Sequence, residues 1–291
     1  LAKNESLPIW LAEKLIAWKG VEHATQIAKA FNSVSPIDIR VNKLRADIKE
    51  VKELFNSCGI KNQFIPGCPY GLEVHAGVGE PKKWPGYEEG KWSVQDRSSQ
   101  LIAPFLGASP GEKILDACAA PGGKSTHIAE LINNHGEIWS VDRSSRRARK
   151  ILANSERLGI NCLQLLVADS NKLLAQHPEW VEYFNRILID APCSGLGTLS
   201  RHPDARWRMN NDSIKELVEL QSRLLMSLPP LLKSGGRLVY STCTIHPDEN
   251  SNQIKNFLET QSNFLLESEK QIWPGEGENG DGFYFAVLNK L

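Results

Sequence analysis

The pattern of apolar and polar positions changes character near residue 90. Before it, Leu11, Leu15 and Trp18 recur at helical spacing behind Leu7-Pro8, where an early proline costs no hydrogen bond. The helical pattern runs from the first residues to Asn32-Ser33-Val34-Ser35-Pro36, which breaks it. Ile37-Asp38-Ile39-Arg40-Val41 alternates as a strand does, and Asp47 to Cys58 reads as an amphipathic helix stopped by Gly59. Gly and Pro then become frequent and leave room for short strands at best. The pattern predicts a small α+β domain over residues 1–90 and a second domain over 91–291.

Beyond residue 90 short apolar runs alternate with helical stretches. Strands are predicted at Lys113–Asp116, Glu137–Asp142, Leu163–Asp169, Arg186–Asp190, Arg237–Ser241 and Phe283–Leu288. Helices are predicted at Ser125–Asn133, Arg146–Leu158, Asp212–Leu232 and Asp248–Glu259. Such alternation indicates an α/β fold with a doubly wound, mostly parallel sheet.

Composition narrows the class. Apolar residues make up 41% and charged residues 23% of the 291, which excludes a disordered chain. Thirty-four basic residues balance thirty-four acidic ones, so bulk charge does not clamp nucleic acid, although a local basic face still could. No apolar run approaches the roughly 18 residues of a membrane span. The chain opens on Leu1 without a signal-peptide pattern, and we expect the natural protein to continue N-terminally. Six cysteines lack zinc spacing and any disulfide pattern, so a reduced, cytoplasmic monomer without a metal is expected.

In a doubly wound sheet the ligand lies beyond the carboxyl ends of the strands. The first such strand ends in Asp116 and a loop containing Pro121-Gly122-Gly123, where backbone N–H groups and a helix start favour an anionic group. The second ends in Asp142, twenty residues past Gly122, at the offset where an acid accepts from ribose hydroxyls. The third ends in Asp169, suited to an adenine amino group. Gly123-Lys124-Ser125 resembles a phosphate loop, but that motif needs glycine where Cys118 stands. An acidic ring suits a cationic adenosine ligand such as S-adenosylmethionine.

Two thiols follow the next strands. Cys193 lies in Asp190-Ala191-Pro192-Cys193-Ser194-Gly195, and Cys243 in Ser241-Thr242-Cys243-Thr244. If their strands are neighbours, both face one pocket. A thiolate that adds to C6 of cytosine makes C5 nucleophilic enough to take a methyl group, and a second thiol can help release the product.

These motifs, with Val94-Gln95-Asp96, Ile39-Arg40-Val41-Asn42, Ala168-Asp169 and the closing Asp281-Gly282-Phe283-Tyr284-Phe285-Ala286, closely resemble the RNA 5-methylcytosine methyltransferases of the Sun/Nop type over nearly the whole chain. The resemblance implies a Rossmann-type catalytic domain behind a small RNA-recognition domain. It further implies that Cys118, Ala119, Ala120, Pro121, Gly122, Gly123 and Lys124 hold the methionine end of S-adenosylmethionine, with Asp142 at the ribose and Asp169 at the adenine. Asp190 would lie near the methyl and the base, Cys243 would be the nucleophile, and Cys193 would assist release. DNA cytosine methyltransferases attack with the Pro-Cys thiol instead, and the added Thr-Cys favours the RNA type. The chain is most like the branch that modifies a cytosine of 16S ribosomal RNA, whose members usually carry an N-terminal NusB-like domain. A tRNA or DNA cytosine methyltransferase, or a ribosome-assembly factor that binds RNA without turnover, is the alternative.

For RNA contact the sequence offers Arg201, His202, Arg206 and Trp207, which mix cations with an aromatic directly after the Pro-Cys loop, and Arg40 with Asn42 in the small domain. The arginine-rich segment 143–157 reads as a solvated helix face. Trp10, Trp18 and Trp139 are expected in the core, and His127 and His246 in packing or capping roles.

Overall fold

The computed structural model describes residues 1–75, 79–276 and 280–291. Helix α1 (Ile9–Ala30) lies between a proline cap and Phe31, and Gly20 interrupts its helical backbone at φ +73°. It is therefore shorter than the helical pattern suggested. Strand β1 (Ile37–Val41) follows, then α2 (Ile48–Ser57), whose start Asp47 caps by accepting from the Lys49 N–H. Strands β2 (Asn62–Phe64), β3 (Gly71–Val74) and β4 (Trp92–Val94) complete an antiparallel sheet in the order β2-β3-β1-β4. Because β4 pairs with β1, the small sheet draws its last strand from beyond residue 90.

Two short helices, α3 (Arg97–Gln100) and α4 (Ile102–Leu106), lead into the larger unit. Its elements are β5 (Lys113–Asp116), α5 (Gly123–Leu131), β6 (Glu137–Asp142), α6 (Ser145–Leu158), β7 (Leu163–Val167), α7 (Leu173–Gln176), β8 (Phe184–Asp190), α8 (Ala205–Arg208), α9 (Asn211–Ser227), β9 (Leu232–Thr242), α10 (Ser251–Thr260), β10 (Phe264–Ile272) and β11 (Phe283–Lys290). The sheet order is β10-β11-β9-β8-β5-β6-β7. Strands β5 to β9 run parallel, and β10 and β11 join antiparallel. The expected α/β architecture is present.

Several boundaries move for local reasons. Helix α9 stops at Ser227 because Pro229-Pro230 cannot continue it, and the residues up to Leu232 turn into β9. Strand β7 ends at Val167, so Asp169 caps the next turn instead of closing the strand. Pro247–Glu249 forms a separate turn before α10. Strand β10 gave no strand signal in the sequence: it lies at the sheet edge and is largely exposed.

Apolar side chains pack on both faces of the large sheet, with Leu115, Ile187, Leu238 and Tyr240 on one and Ile114, Leu188, Val239 and Phe285 on the other. Helix α1 packs its apolar face on the larger unit, while the small sheet packs on α2. Leu11, Leu15 and Ile27 pack with Leu196, Leu199 and Ile245 of the larger unit. Trp10 and Trp18 lie half-buried against that cluster, and Trp139 against the core of the sheet. His127 is buried, and the His246 ring accepts from the Asp248 N–H as a cap.

Candidate active site

Strands β8 and β9 are adjacent and parallel, with Asp190 opposite Ser241. Their shared carboxyl end therefore delivers Cys193 and Cys243 to one place. The two sulfur atoms lie 3.4 Å apart. The hydrogen bond with Cys243, then burial, then the nearby Glu249 carboxylate push the Cys193 thiol well above its usual range, so Cys193 keeps its proton.

Both cysteines line a cavity of about 750 Å³ together with Cys118, Ala120, Asp142, Asp169 and Asp190. A second cavity of about 410 Å³ meets it at Ala120, Asp190, Ala191 and Cys243, and is walled by Gln95, Asp96, Lys124, His202 and Asp281. Asp190 and Cys243 thus stand on the partition between the two spaces.

The loop after β5 is shaped by its glycines. Gly122 has φ +102°, and a Cβ there would lie 3.2 Å from the Ile151 backbone, so the loop can pack onto α6 only with glycine. The Ala120-Pro121 peptide is cis, and α5 begins at Gly123. Asp142 receives the Ser144 N–H at 2.9 Å and the Ala120 N–H at 3.3 Å, which ties this loop to the end of β6. Asp169 is exposed and accepts from Asn171 at 3.1 Å. Burial pushes the Cys118 thiol well up, which makes it an inert wall of the cavity.

The charged groups deeper in are paired. Lys124 Nζ lies 2.7 Å from Asp190 Oδ2, while Ser241 donates to Asp190 Oδ1 at 2.8 Å. Burial opposes the charge on Lys124, but Asp190 outweighs it and holds the ammonium above its ordinary value. Asp116 is fully buried: Ser125 donates to its Oδ2 at 2.6 Å, and its Oδ1 has no partner. Burial raises its carboxyl to about 7.

The structure corrects three assignments to RNA contact, those of Arg40, Asn42 and Arg206. Arg40 is 0% exposed, pairs with Glu130 at 2.7 Å, and donates to Gln95 Oε1 and at 2.9 Å to the Gly123 carbonyl. It locks the small sheet to α5 and cannot reach RNA. Asn42 is equally buried and donates to the carbonyls of Gly90 and Leu158. Arg206 is 3% exposed, and its guanidinium donates to the carbonyls of Ser6 and Phe31 and to Asn32 Oδ1. Arg201 bridges Asp96 and Asp281, each at 3.0 Å. His202 is exposed, and Trp207 is 63% exposed.

One residue that the motifs did not flag is central. Glu249, fully buried in the turn before α10, accepts from the Ser194 N–H at 2.8 Å and from Thr244 Oγ1 at 3.2 Å. In the sequence it resembles an ordinary acid at a helix start. Its only sequence signal is its place six residues after Cys243. Among the described residues no group of three or more metal-ligating side chains occurs, and no helix is long and apolar enough to cross a membrane.

Comparison with known proteins gives consistent matches. Residues 103–289 match the family described as 16S rRNA methyltransferase RsmB/F, and residues 7–79 match the ferredoxin-like domain of the same group. The probable ribosomal RNA small subunit methyltransferase B of Synechocystis is 37% identical over 100% of this chain and 68% of its own length. The ribosomal RNA small subunit methyltransferase B of Vibrio cholerae is 39% identical over 97% of this chain and 65% of its own length. The crystal structure of the protein PH0851 superposes with a TM-score of 0.95 at 32% identity, covering 99% of this chain and 67% of that one. The chain thus spans about two thirds of the length of these relatives.

Proposed function

The chain belongs to the RsmB/F family of 16S rRNA methyltransferases, and on that footing we propose that it transfers a methyl group from S-adenosylmethionine to C5 of a cytosine in small-subunit ribosomal RNA in the cytoplasm. The observation that carries this reading is the pair of thiols 3.4 Å apart on the wall of the larger cavity.

The larger cavity fits the cofactor. Its volume of about 750 Å³ lies in the range of small-molecule sites, and its wall carries Asp142, Asp169 and Asp190 beside Arg143, Arg147, Lys172 and Arg223, a mixture that suits a ligand bearing both a sulfonium and a carboxylate. In this reading Asp142 accepts from the ribose hydroxyls, Asp169 from the adenine amino group, and the loop from Cys118 to Lys124 holds the methionine end. S-adenosylmethionine, when bound, supplies an electrophilic methyl on its sulfonium.

The smaller cavity receives the target cytosine, which must leave any stack to enter it. There Cys243, attacking as a thiolate after its proton has passed to solvent, forms a bond to C6, and the displaced C5–C6 electron pair makes C5 the nucleophile that takes the methyl. Asp190, held by Lys124 and Ser241, faces both spaces and orients the ring. Release needs the C5 proton removed and the C6–S bond broken. The Cys193 proton can pass to the departing Cys243 sulfur, and the Cys193 thiolate so formed accepts the C5 proton. The small N-terminal domain, the exposed Trp207 and His202, and the Arg201 loop present the RNA.

The test is transfer of a labelled methyl group to unmethylated 16S rRNA, tRNA and duplex DNA, followed by nucleoside analysis. We expect 5-methylcytidine in 16S rRNA. Label confined to tRNA or DNA would redirect the substrate. Binding of cofactor and 16S rRNA without any transfer would mark an assembly factor instead.

A further inference from the structure

Ser194 and Thr244 each follow one of the two thiols directly, and both end on the same buried carboxylate. Glu249 Oε2 accepts from the Ser194 N–H at 2.8 Å and from Gln221 Nε2 at 3.0 Å. Its Oε1 accepts from Ser194 Oγ at 2.5 Å and from Thr244 Oγ1 at 3.2 Å. The two hydroxyls also touch each other at 2.8 Å. Gln221, from α9, gives a second hydrogen bond to the Pro192 carbonyl just before Cys193. Tyr240 fixes the turn itself by donating to the Glu249 carbonyl at 2.6 Å. The next residue, Asn250, accepts from Thr242 and donates to the Thr244 carbonyl, so it grips both neighbours of Cys243.

The Ser194 N–H and Gln221 Nε2 can only donate, the two hydroxyls share their protons between the carboxylate and each other, and a carboxyl group offers acceptors at both ends. An apolar side chain in its place would leave all four partners unpaired in a dry site, whereas an amide could turn its N–H groups toward the two hydroxyls, which accept as well as donate. The arrangement is expensive for packing alone, and it joins the segments whose separation decides the chemistry. We propose that Glu249 is a positioning residue of the transfer reaction, buckling the Cys193 loop to the Cys243 strand end and so setting the distance between the two thiols. The proposal rests on the methyltransferase reading for its consequence in turnover, but the distance itself does not depend on that reading.

The experiment uses the whole chain carrying Glu249→Leu, which keeps most of the side-chain bulk and removes every acceptor. Three quantities are read: turnover on 16S rRNA, affinity for S-adenosylmethionine, and the rate at which diamide closes a Cys193–Cys243 disulfide. Diamide takes two electrons and two protons from the thiol pair, so closure reports how often the sulfurs meet and needs neither RNA nor cofactor. We expect kcat to fall about 100-fold, the cost of misplacing a reacting group by about 1 Å, with KM for RNA and cofactor affinity within about threefold of the wild type. Disulfide closure should slow by a similar factor. Wild-type turnover and closure in the folded variant would overturn the proposal. So would loss of cofactor affinity in step with turnover, which marks general collapse. Should Glu249→Leu not fold, the Ser194→Ala, Thr244→Val double variant removes the hydroxyl half of the buckle. It must show the same split, and wild-type behaviour there overturns the proposal equally. If the wild type methylates no RNA, the closure rate still decides the matter.

Discussion

Cys193 and Cys243 are fifty residues apart in the chain, yet their sulfur atoms lie 3.4 Å apart. Neighbouring parallel strands bring the two loops together. Cys193 keeps its proton, held by its hydrogen bond to Cys243 and by burial. The two thiols differ in place, since Cys243 borders both cavities and Cys193 only the larger, and roles for the two sulfurs follow from those places.

Removal of either thiol therefore has a distinct result. Cys243→Ala should form no protein–RNA adduct and give no detectable transfer. Cys193→Ala should still attack and transfer, then stall, so that a covalent adduct accumulates while turnover falls about 10²–10⁴-fold, as for loss of an acid–base partner. Denaturing electrophoresis with labelled RNA reads both. An adduct with Cys243→Ala and none with Cys193→Ala would reverse the roles.

Asp142 should carry cofactor affinity. Its carboxylate holds the Ser144 and Ala120 N–H groups and also borders the larger cavity. Asp142→Asn keeps the shape but weakens charge-assisted acceptance, at about 1.5–3 kcal/mol per bond. Calorimetry should find S-adenosylmethionine bound about 10- to 100-fold more weakly. Unchanged affinity would remove Asp142 from the ribose.

The parts of this site that could be read in the sequence share one property: their signal is local. Apolar runs ending in an acid mark β5, β6 and β8, because buried parallel strands have no polar face and the ligand side begins where they stop. The loop 118–124 and Cys193 follow two of those ends, and Cys243 follows the next strand, β9. Charged residues whose partners are remote in sequence were misread. Arg40 and Arg206 look like RNA contacts by residue type, and only the folded chain brings Glu130 within 2.7 Å of one and the carbonyls of Ser6 and Phe31 onto the other. Glu249 stayed invisible for the same reason, since its donors come from loops after two different strands and from α9. Strand β10 failed differently: as an exposed edge it is not required to alternate.

Asp116 should give folding stability an unusual pH dependence. Its carboxyl ionises at the ordinary 3.8 when unfolded and near 7 when folded, because burial penalises the charge. Between those values the folded chain holds the extra proton, so this contribution is complete below about pH 4 and is lost as pH rises through 7. The loss is on the order of a few kcal/mol. Asp116→Asn, which keeps an acceptor for Ser125, should flatten the slope of denaturation free energy between pH 4 and 7. An unchanged slope would assign the dependence elsewhere.

Arg206 and Trp207 are adjacent, and their side chains face opposite demands. Arg206 spends its donors on the carbonyls that anchor α1 to the loop after β8, so Arg206→Ala leaves buried acceptors unpaired at about 1–3 kcal/mol each. That variant should unfold at lower denaturant whether or not RNA is present. Trp207 projects into solvent at 63% exposure and contributes little to the core. Trp207→Ala should leave the unfolding midpoint nearly unchanged but weaken RNA binding about 5- to 100-fold, the worth of one base stacked on an aromatic ring. Fluorescence titration with single-stranded RNA, beside a denaturant melt of each variant, separates the two. Equal RNA affinity for Trp207→Ala and wild type would show that the strand passes elsewhere on the surface.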